Sequence, residues 1–334
     1  MADDSDLARH SEAFRDDCRR IEQQIRRVIV GHEQIIEQVL ICLLAGGHAL
    51  LEGVPGIGKT LLVRTLGRIL DLRFSRIQFT PDLMPADITG TNVVEDDQAG
   101  RKVFRFQSGP VFANLVLADE INRATPKTQS AVLEAMQEAT VTVARTTHEL
   151  PRPFFVLATQ NPLEMEGTYP LPEAQLDRFL LKVRLGSPPA EELVAILDRT
   201  TGAESAAVET VASAERVLAM QALARQVPAA EHLKRHVAAL VRATHPDAPE
   251  AAEITRKYVR YGSSPRGAQA MLLAAKVLAL RDGRANVAFE DVHKAALPAL
   301  RHRLILSFEG QADGIDTDEI VRQVLAATPT AETV

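Results

Sequence analysis

Apolar residues recur at helical spacing between Ser11 and Val30, at Phe14, Ile21, Ile25 and Val28, and Gly31 interrupts them before a second helix from about Glu33 to Leu44. Leu50 and Leu51 then form a short buried strand. It turns through glycines into a third helix marked by Leu62, Leu66, Ile69 and Leu70. Further strands are predicted at Phe74 to Phe79, Leu115 to Ala118, Phe154 to Ala158 and Leu180 to Leu185, with a helix carrying Ala131, Leu133, Ala135 and Met136 among them. Two inserted hairpins interrupt this alternation. The first pairs Thr91 to Val94 with Lys102 to Phe106 across a turn holding Asp96, Asp97 and Gly100. The second covers Thr140 to Leu150, where Val141 and Val143 alternate with threonines. Ser187, Pro188 and Pro189 mark the clearest boundary, and beyond it alanine-rich segments near 190 to 199, 209 to 227, 231 to 243, 264 to 281 and 289 to 302 are helical in pattern. The expected organisation is a loose acidic start over 1–10, an α/β unit over 11–186 and an all-helical lid over 187–334, with no solenoid repeat.

Composition narrows the class. With 334 residues, 46% of them hydrophobic, the chain can bury a sizeable core. Its longest apolar run, Val39 to Gly47, is too short for a bilayer, and the start MADDSDLARH is acidic where a secretion signal is basic and then apolar, so a cytoplasmic location is expected. Cys42 falls in an apolar run, where an inert thiol is expected, and with Cys18 as the second cysteine no disulfide or metal framework follows. A net charge of −6, 4% aromatic residues and no Trp disfavour a surface built for nucleic acid, although a basic channel inside an oligomer would be hidden in such a sum.

The chemistry concentrates at HALLEGVPGIGKTLLVRTLGRIL, His48 to Leu70. Gly53, Gly58, Lys59 and Thr60 fit the phosphate-loop pattern, in which Gly53, Gly56 and Gly58 let the backbone aim successive N–H groups at one anion and the following helix adds its positive end. Lys59 would set a point charge on the β- and γ-phosphates, and the Thr60 hydroxyl would coordinate the accompanying Mg²⁺. Pro55, Ile57 and Leu61 complete the nucleotide-contacting stretch. The turn at Val30 and Gly31 would cover the adenine, though the same residues fit a plain helix boundary. Asp119 and Glu120 stand at the carboxyl end of an apolar strand, where ligands of open α/β sheets sit: Asp119 as a metal ligand, Glu120 as the general base that polarises water. Asn161, at the tip of the next strand, would orient that water; Asn-Pro also favours an ordinary turn. In GSSPRG, Gly262 to Gly267, Ser264 is a plausible N-cap and Pro265 fits the first turn, fixing Arg266 at a helix start within reach of phosphate. His232 and His236 stand four apart without an evident third ligand and read as solvated.

Taken together, GHALLEGVPGIGKT, LVLADEINRA, VLATQNP, LPEAQLDRF and GSSPRG resemble the AAA+ ATPases, and within them the MoxR group, over nearly the whole chain after the first 20 or so residues. The resemblance implies Walker A at Gly53 to Thr60, Walker B at Asp119 and Glu120, sensor 1 at Asn161, an arginine finger at Arg178 and sensor 2 at Arg266, the hairpins being the helix-2 and pre-sensor-1 inserts. It further implies ATP and Mg²⁺ as cofactors and a ring, usually a hexamer, with nucleotide between neighbours. The implied role is chaperone-like remodelling or activation of a client protein, often by cofactor or metal insertion, with a separate von Willebrand factor A domain partner. Two other functions fit less well. A nucleic-acid motor shares the inserts, and a nucleotide-switched scaffold would need none of Glu120, Asn161 and Arg178.

Overall fold

The structure, a computed structural model, describes residues 4–53, 58–96, 98, 101–162, 167–186, 189–201 and 207–329. Helices α1 (Asp4–Val28) and α2 (Glu33–Ala45) lead into β1 (Ala49–Gly53), α3 (Lys59–Ile69), β2 (Phe74–Gln78) and the short α4 (Pro85–Thr89). A hairpin of β3 (Gly90–Asp96) and β4 (Lys102–Ser108) precedes β5 (Leu115–Asp119), a single 3₁₀ turn (Ile121–Arg123) and α5 (Pro126–Glu138). A second hairpin, β6 (Thr140–Val143) and β7 (Thr146–Glu149), is followed by β8 (Phe155–Gln160), α6 (Glu173–Leu176) and β9 (Leu181–Leu185). The remaining helices are α7 (Ala190–Thr201), α8 (Ala214–Gln226), α9 (Glu231–Ala243), α10 (Glu253–Tyr258), α11 (Pro265–Arg281), α12 (Phe289–Leu300), α13 (Phe308–Ala312) and α14 (Thr317–Ala327), with β10 (Val259–Tyr261) pairing β11 (Ile305–Leu306).

One five-stranded parallel sheet, in the order β2-β5-β8-β1-β9, carries the first half. Its three inner strands read Ala-Leu-Leu, Leu-Val-Leu-Ala and Phe-Val-Leu-Ala-Thr, all buried, because helices cover both faces and neither side of a residue meets water. The edge strands β2 and β9 keep exposed positions. The two inserted hairpins fall where the alternation predicts them, and Phe106 of the first stacks on His148 of the second at 3.9 Å between centroids. Asp97 and Gly100 of the first turn, and Ser187 and Pro188 of the expected boundary, lie outside the described residues.

The helical lid is as expected in kind and differs in detail. Helix α9 spans 231–243 as its periodicity predicts, whereas α10, β10, β11, α13 and α14 are additions, the strands, α10 and α13 being too short to register a period. Helix α1 begins at Asp4, before the first apolar position, since a polar turn can extend a helix whose later residues are anchored. His236 corrects the solvated reading. It is buried, its Nε2 lies 3.0 Å from Nε2 of His293 on α12, and its ring meets Phe289 edge-on. Burial, then the neighbouring His293, lowers its pKa. Among the described residues no group of three or more His, Cys, Asp or Glu is arranged to hold a metal ion, and no helix is long and apolar enough to cross a membrane.

Candidate active site

Strand β1 runs inside the sheet, with β8 on one side and β9 on the other, and ends at Gly53. Val54, Pro55, Gly56 and Ile57, four of the predicted phosphate-loop residues, lie outside the described residues. The loop re-emerges at Gly58, whose φ of 78° is left-handed backbone that glycine adopts without strain, and α3 starts at Lys59. The Lys59 ammonium reaches back to donate to the Gly53 carbonyl at 2.8 Å, so the lysine already spans the mouth of the loop. Burial pulls its pKa below the ordinary value, and Asp119 and then Glu120 pull it partly back, which places both carboxylates within its field. Thr60, half-buried, and Leu61, exposed, follow in the first turn.

The neighbouring strands deliver the acids and the amide to the same end. Asp119 closes β5 and Asn161 follows β8, which lies between β5 and β1, so Lys59, Asn161 and Asp119 project from the carboxyl ends of three adjacent strands. Asn161 is buried. Glu120 sits at φ 57°, a left-handed conformation rare outside glycine, and this twist turns its side chain off the line of the strand.

Four residues unassigned from the sequence hold this acidic pair. The Thr159 hydroxyl donates to Asp119 Oδ1 at 2.7 Å and accepts from the Glu120 backbone N–H at 2.8 Å, fixing the Asp119 carboxylate and the Glu120 backbone from the middle strand. Arg76 donates to Asp119 Oδ2 at 2.7 Å through Nη2 and 3.1 Å through Nε. Gln78 donates to Glu120 Oε2 at 2.8 Å, and Arg123 does so at 3.0 Å. Gln78 was in principle detectable, since it ends a strand paired in register with Asp119; Arg76 and Arg123 carry no such signal.

Gly31, at φ 64°, meets the start of α7: a Cβ there would lie 2.1 Å from Glu192 Oε2. Because α7 leaves the carboxyl end of β9, beside β1, the Val30–Gly31 turn lies at the same end of the sheet as the loop.

Arg178 and Arg266 are elsewhere. Leu180 donates its N–H to the His48 carbonyl at 2.8 Å and Leu181 pairs with Ala49, so Arg178 stands at the amino ends of β1 and β9. From there to Gly53 the strand rises by about 13 Å, at roughly 3.3 Å per residue. The Arg178 guanidinium is turned the other way and donates to the Leu133 carbonyl of α5 at 2.7 Å. Arg266 joins it: both line a cavity of about 170 Å³ with Asp177, Gln269 and Arg303, and Arg266 Nε lies 4.0 Å from Asp177 Oδ2. The expected cap is present, Ser264 Oγ accepting from Arg266 N at 3.2 Å.

A parallel sheet whose inner strand β1 opens into a Gly-Lys-Thr helix start, with a carboxylate pair at the end of β5 on the far side of β8 and a helical lid behind, defines an AAA-type ATPase. The family model described as "ATPase family associated with various cellular activities (AAA)" matches residues 48–181, and that of the AAA lid domain matches 251–324. Chaperone MoxR1 of Mycobacterium tuberculosis is 44% identical over 302 residues, covering 90% of this chain and 79% of the relative. YeaC of Bacillus subtilis is 44% identical over 91% of this chain and 92% of its own length. A crystal structure of a Cytophaga hutchinsonii protein superimposes with a TM-score of 0.89 at 41% identity, covering 96% of both chains. The chain belongs to the MoxR family of AAA+ ATPases.

Proposed function

We propose that this ATPase works as a ring of identical subunits, in which each subunit binds MgATP with its own loop and receives Arg178 and Arg266 from its neighbour, and that turnover drives remodelling of a client protein. What supports the shared site is one observation. Arg178 and Arg266 lie together at the amino end of the sheet, about 13 Å of strand away from the end that carries Lys59, Asp119 and Glu120. Two arginines near one carboxylate, too far from their own chain's phosphate cradle, fit a γ-phosphate presented by another copy.

Within that site Lys59 holds the β- and γ-phosphates, its partial burial strengthening its charge interactions. The oxygen donors Asp119 and Thr60 suit a hard divalent cation, which would neutralise phosphate charge when bound. Glu120 accepts the proton of the attacking water, with Asn161 orienting that water, a contribution of about 10² to 10⁴ in rate for the base. Arg178 supplied in trans adds about 10³ to 10⁵. Val30 and Gly31 cover the base. The name of the Mycobacterium relative supports a chaperone role, here for a client or a separate von Willebrand factor A domain protein.

The test is turnover per subunit against protein concentration for wild type and Arg178→Ala, with the assembled mass recorded in the same buffer. Specific activity should rise with assembly, and the variant should lose about 10³-fold or more without losing mass. Flat specific activity with a dispensable Arg178 would overturn the shared site.

A further inference from the structure

Three consecutive basic residues, Arg301, His302 and Arg303, follow α12, and all three are buried, each 7% exposed. Buried cations persist only where partners satisfy them. Here many of those partners lie across the lid boundary, on β9 and the loop before it. Arg301 donates to the Lys182 carbonyl at 3.2 Å and faces Asp318 at 3.0 Å, and His302 Nε2 lies 3.1 Å from the Phe179 carbonyl. Burial, and then the adjacent Arg303, pulls the pKa of His302 well below its ordinary value.

Arg303 makes the densest set of contacts. Its Nε donates to Asp177 Oδ1 at 2.8 Å, its Nη2 to the carbonyls of Asp177 at 3.0 Å and Phe179 at 2.7 Å, and its Nη1 to Leu180 at 3.3 Å and to Ala299. One planar guanidinium therefore holds the peptide carbonyls on both sides of Arg178. Asp177 also accepts from Ser264 Oγ at 2.9 and 2.8 Å, which ties the start of α11, and with it Arg266, to the same carboxylate. Gly267 leaves the room: a Cβ there would lie 3.2 Å from Arg303 Cδ and 2.0 Å from Ser263 Oγ.

We propose that Arg303, through its ion pair with Asp177, is the positioning residue for Arg178 in ATP hydrolysis, clamping the lid to the Arg178 loop so that Arg178 and Arg266 are presented to the neighbouring subunit as one rigid unit. The proposal rests on the shared-site reading. A lysine keeps the charge but has no planar fork to span the carbonyls of 177, 179 and 180 together with the carboxylate.

Arg303→Lys should lower kcat by about tenfold to a hundredfold, the cost of a displaced group, while KM for ATP changes by less than about twofold, since ATP is held by the subunit's own loop. The decisive measurement mixes subunits before assembly. Arg303→Lys mixed with Glu120→Gln should turn over faster than the sum of the two alone, because a sound site then meets a sound arginine from its neighbour; Arg178→Ala mixed with Glu120→Gln is the control. Restoration in both mixtures supports the clamp. Restoration in the control alone keeps the shared site and overturns the role of Arg303. Restoration in neither overturns the shared site and the clamp with it, and unchanged kcat in Arg303→Lys overturns the clamp alone. Should Arg303→Lys fail to fold, Asp177→Asn, which keeps the volume and removes the charge, is read against the same outcomes.

Discussion

At the scale of single residues, the acidic pair is held less by its own strand than by Thr159, one hydroxyl that serves two masters. It gives its proton to Asp119 and takes the Glu120 N–H, and it is wholly buried. Thr159→Val preserves shape while leaving a carboxylate oxygen and a backbone N–H without that partner, each costing about 1–3 kcal/mol when buried. The carboxylates should then drift. Because a displacement of about 1 Å can cost about a hundredfold in rate, the expected outcome is a fall in kcat of that order with ATP binding retained. Equilibrium ATP binding beside single-turnover hydrolysis checks it; equal losses in both would mean that Thr159 supports the phosphate cradle instead.

At the scale of elements, His48 joins three of them. It immediately precedes β1, its Nε2 lies 2.9 Å from the Met136 carbonyl at the end of α5, and its Nδ1 accepts from Val156 N of β8 at 3.1 Å, which defines the neutral Nε2–H tautomer. Burial pushes its pKa down to about 4 from an ordinary 6.5. The sign follows: the unfolded chain takes up a proton near pH 6.5 while the folded chain refuses it until about 4. This stability is therefore complete above pH 6.5, declines through the interval and is gone below about pH 4, a total of about 3 kcal/mol at roughly 1.4 kcal/mol per unit. Denaturant midpoints at pH 7 and pH 4.5 should differ more for wild type than for His48→Gln; equal differences would remove His48 from the acid response. Such joints also mark the limit of what could be read from the chain. Strand β1 and helix α3, the acids at the end of β5 and helix α9 were legible because each is written in consecutive residues with a period or a motif. The left-handed Glu120, the buried pair His236–His293 and the reach of Arg303 to Asp177 were not. They depend on contacts between residues 39, 57 and 126 positions apart, and spacing carries no information about those.

At the scale of the whole molecule, the composition boundary near residue 187 suggests two separable units, yet the packing joins them. One apolar cluster runs from α1, α2, β1 and β9 through α8, α9, α11 and α12 to α14, so much of the lid's core is the core of the nucleotide-binding half as well. The Arg303–Asp177 ion pair crosses between the halves, as does the hydrogen bond from Arg301 to the Lys182 carbonyl, so any opening would strand a buried guanidinium, and breaking such a pair from one side costs about 3–5 kcal/mol. A lid that unfolded first would expose half of a continuous apolar surface together with unpaired charges. The ligand-free subunit should accordingly unfold in one cooperative thermal transition. At about 0.7 kcal/mol per residue its enthalpy would be on the order of 230 kcal/mol, with calorimetric and van't Hoff values in agreement. Differential scanning calorimetry of the dilute protein, at a concentration where the mass is that of one chain, decides the matter. Two resolved transitions, or a calorimetric enthalpy well above the van't Hoff value, would show the lid to be an independent unit and would weaken the case for a lid that carries Arg178 and Arg266 as one body.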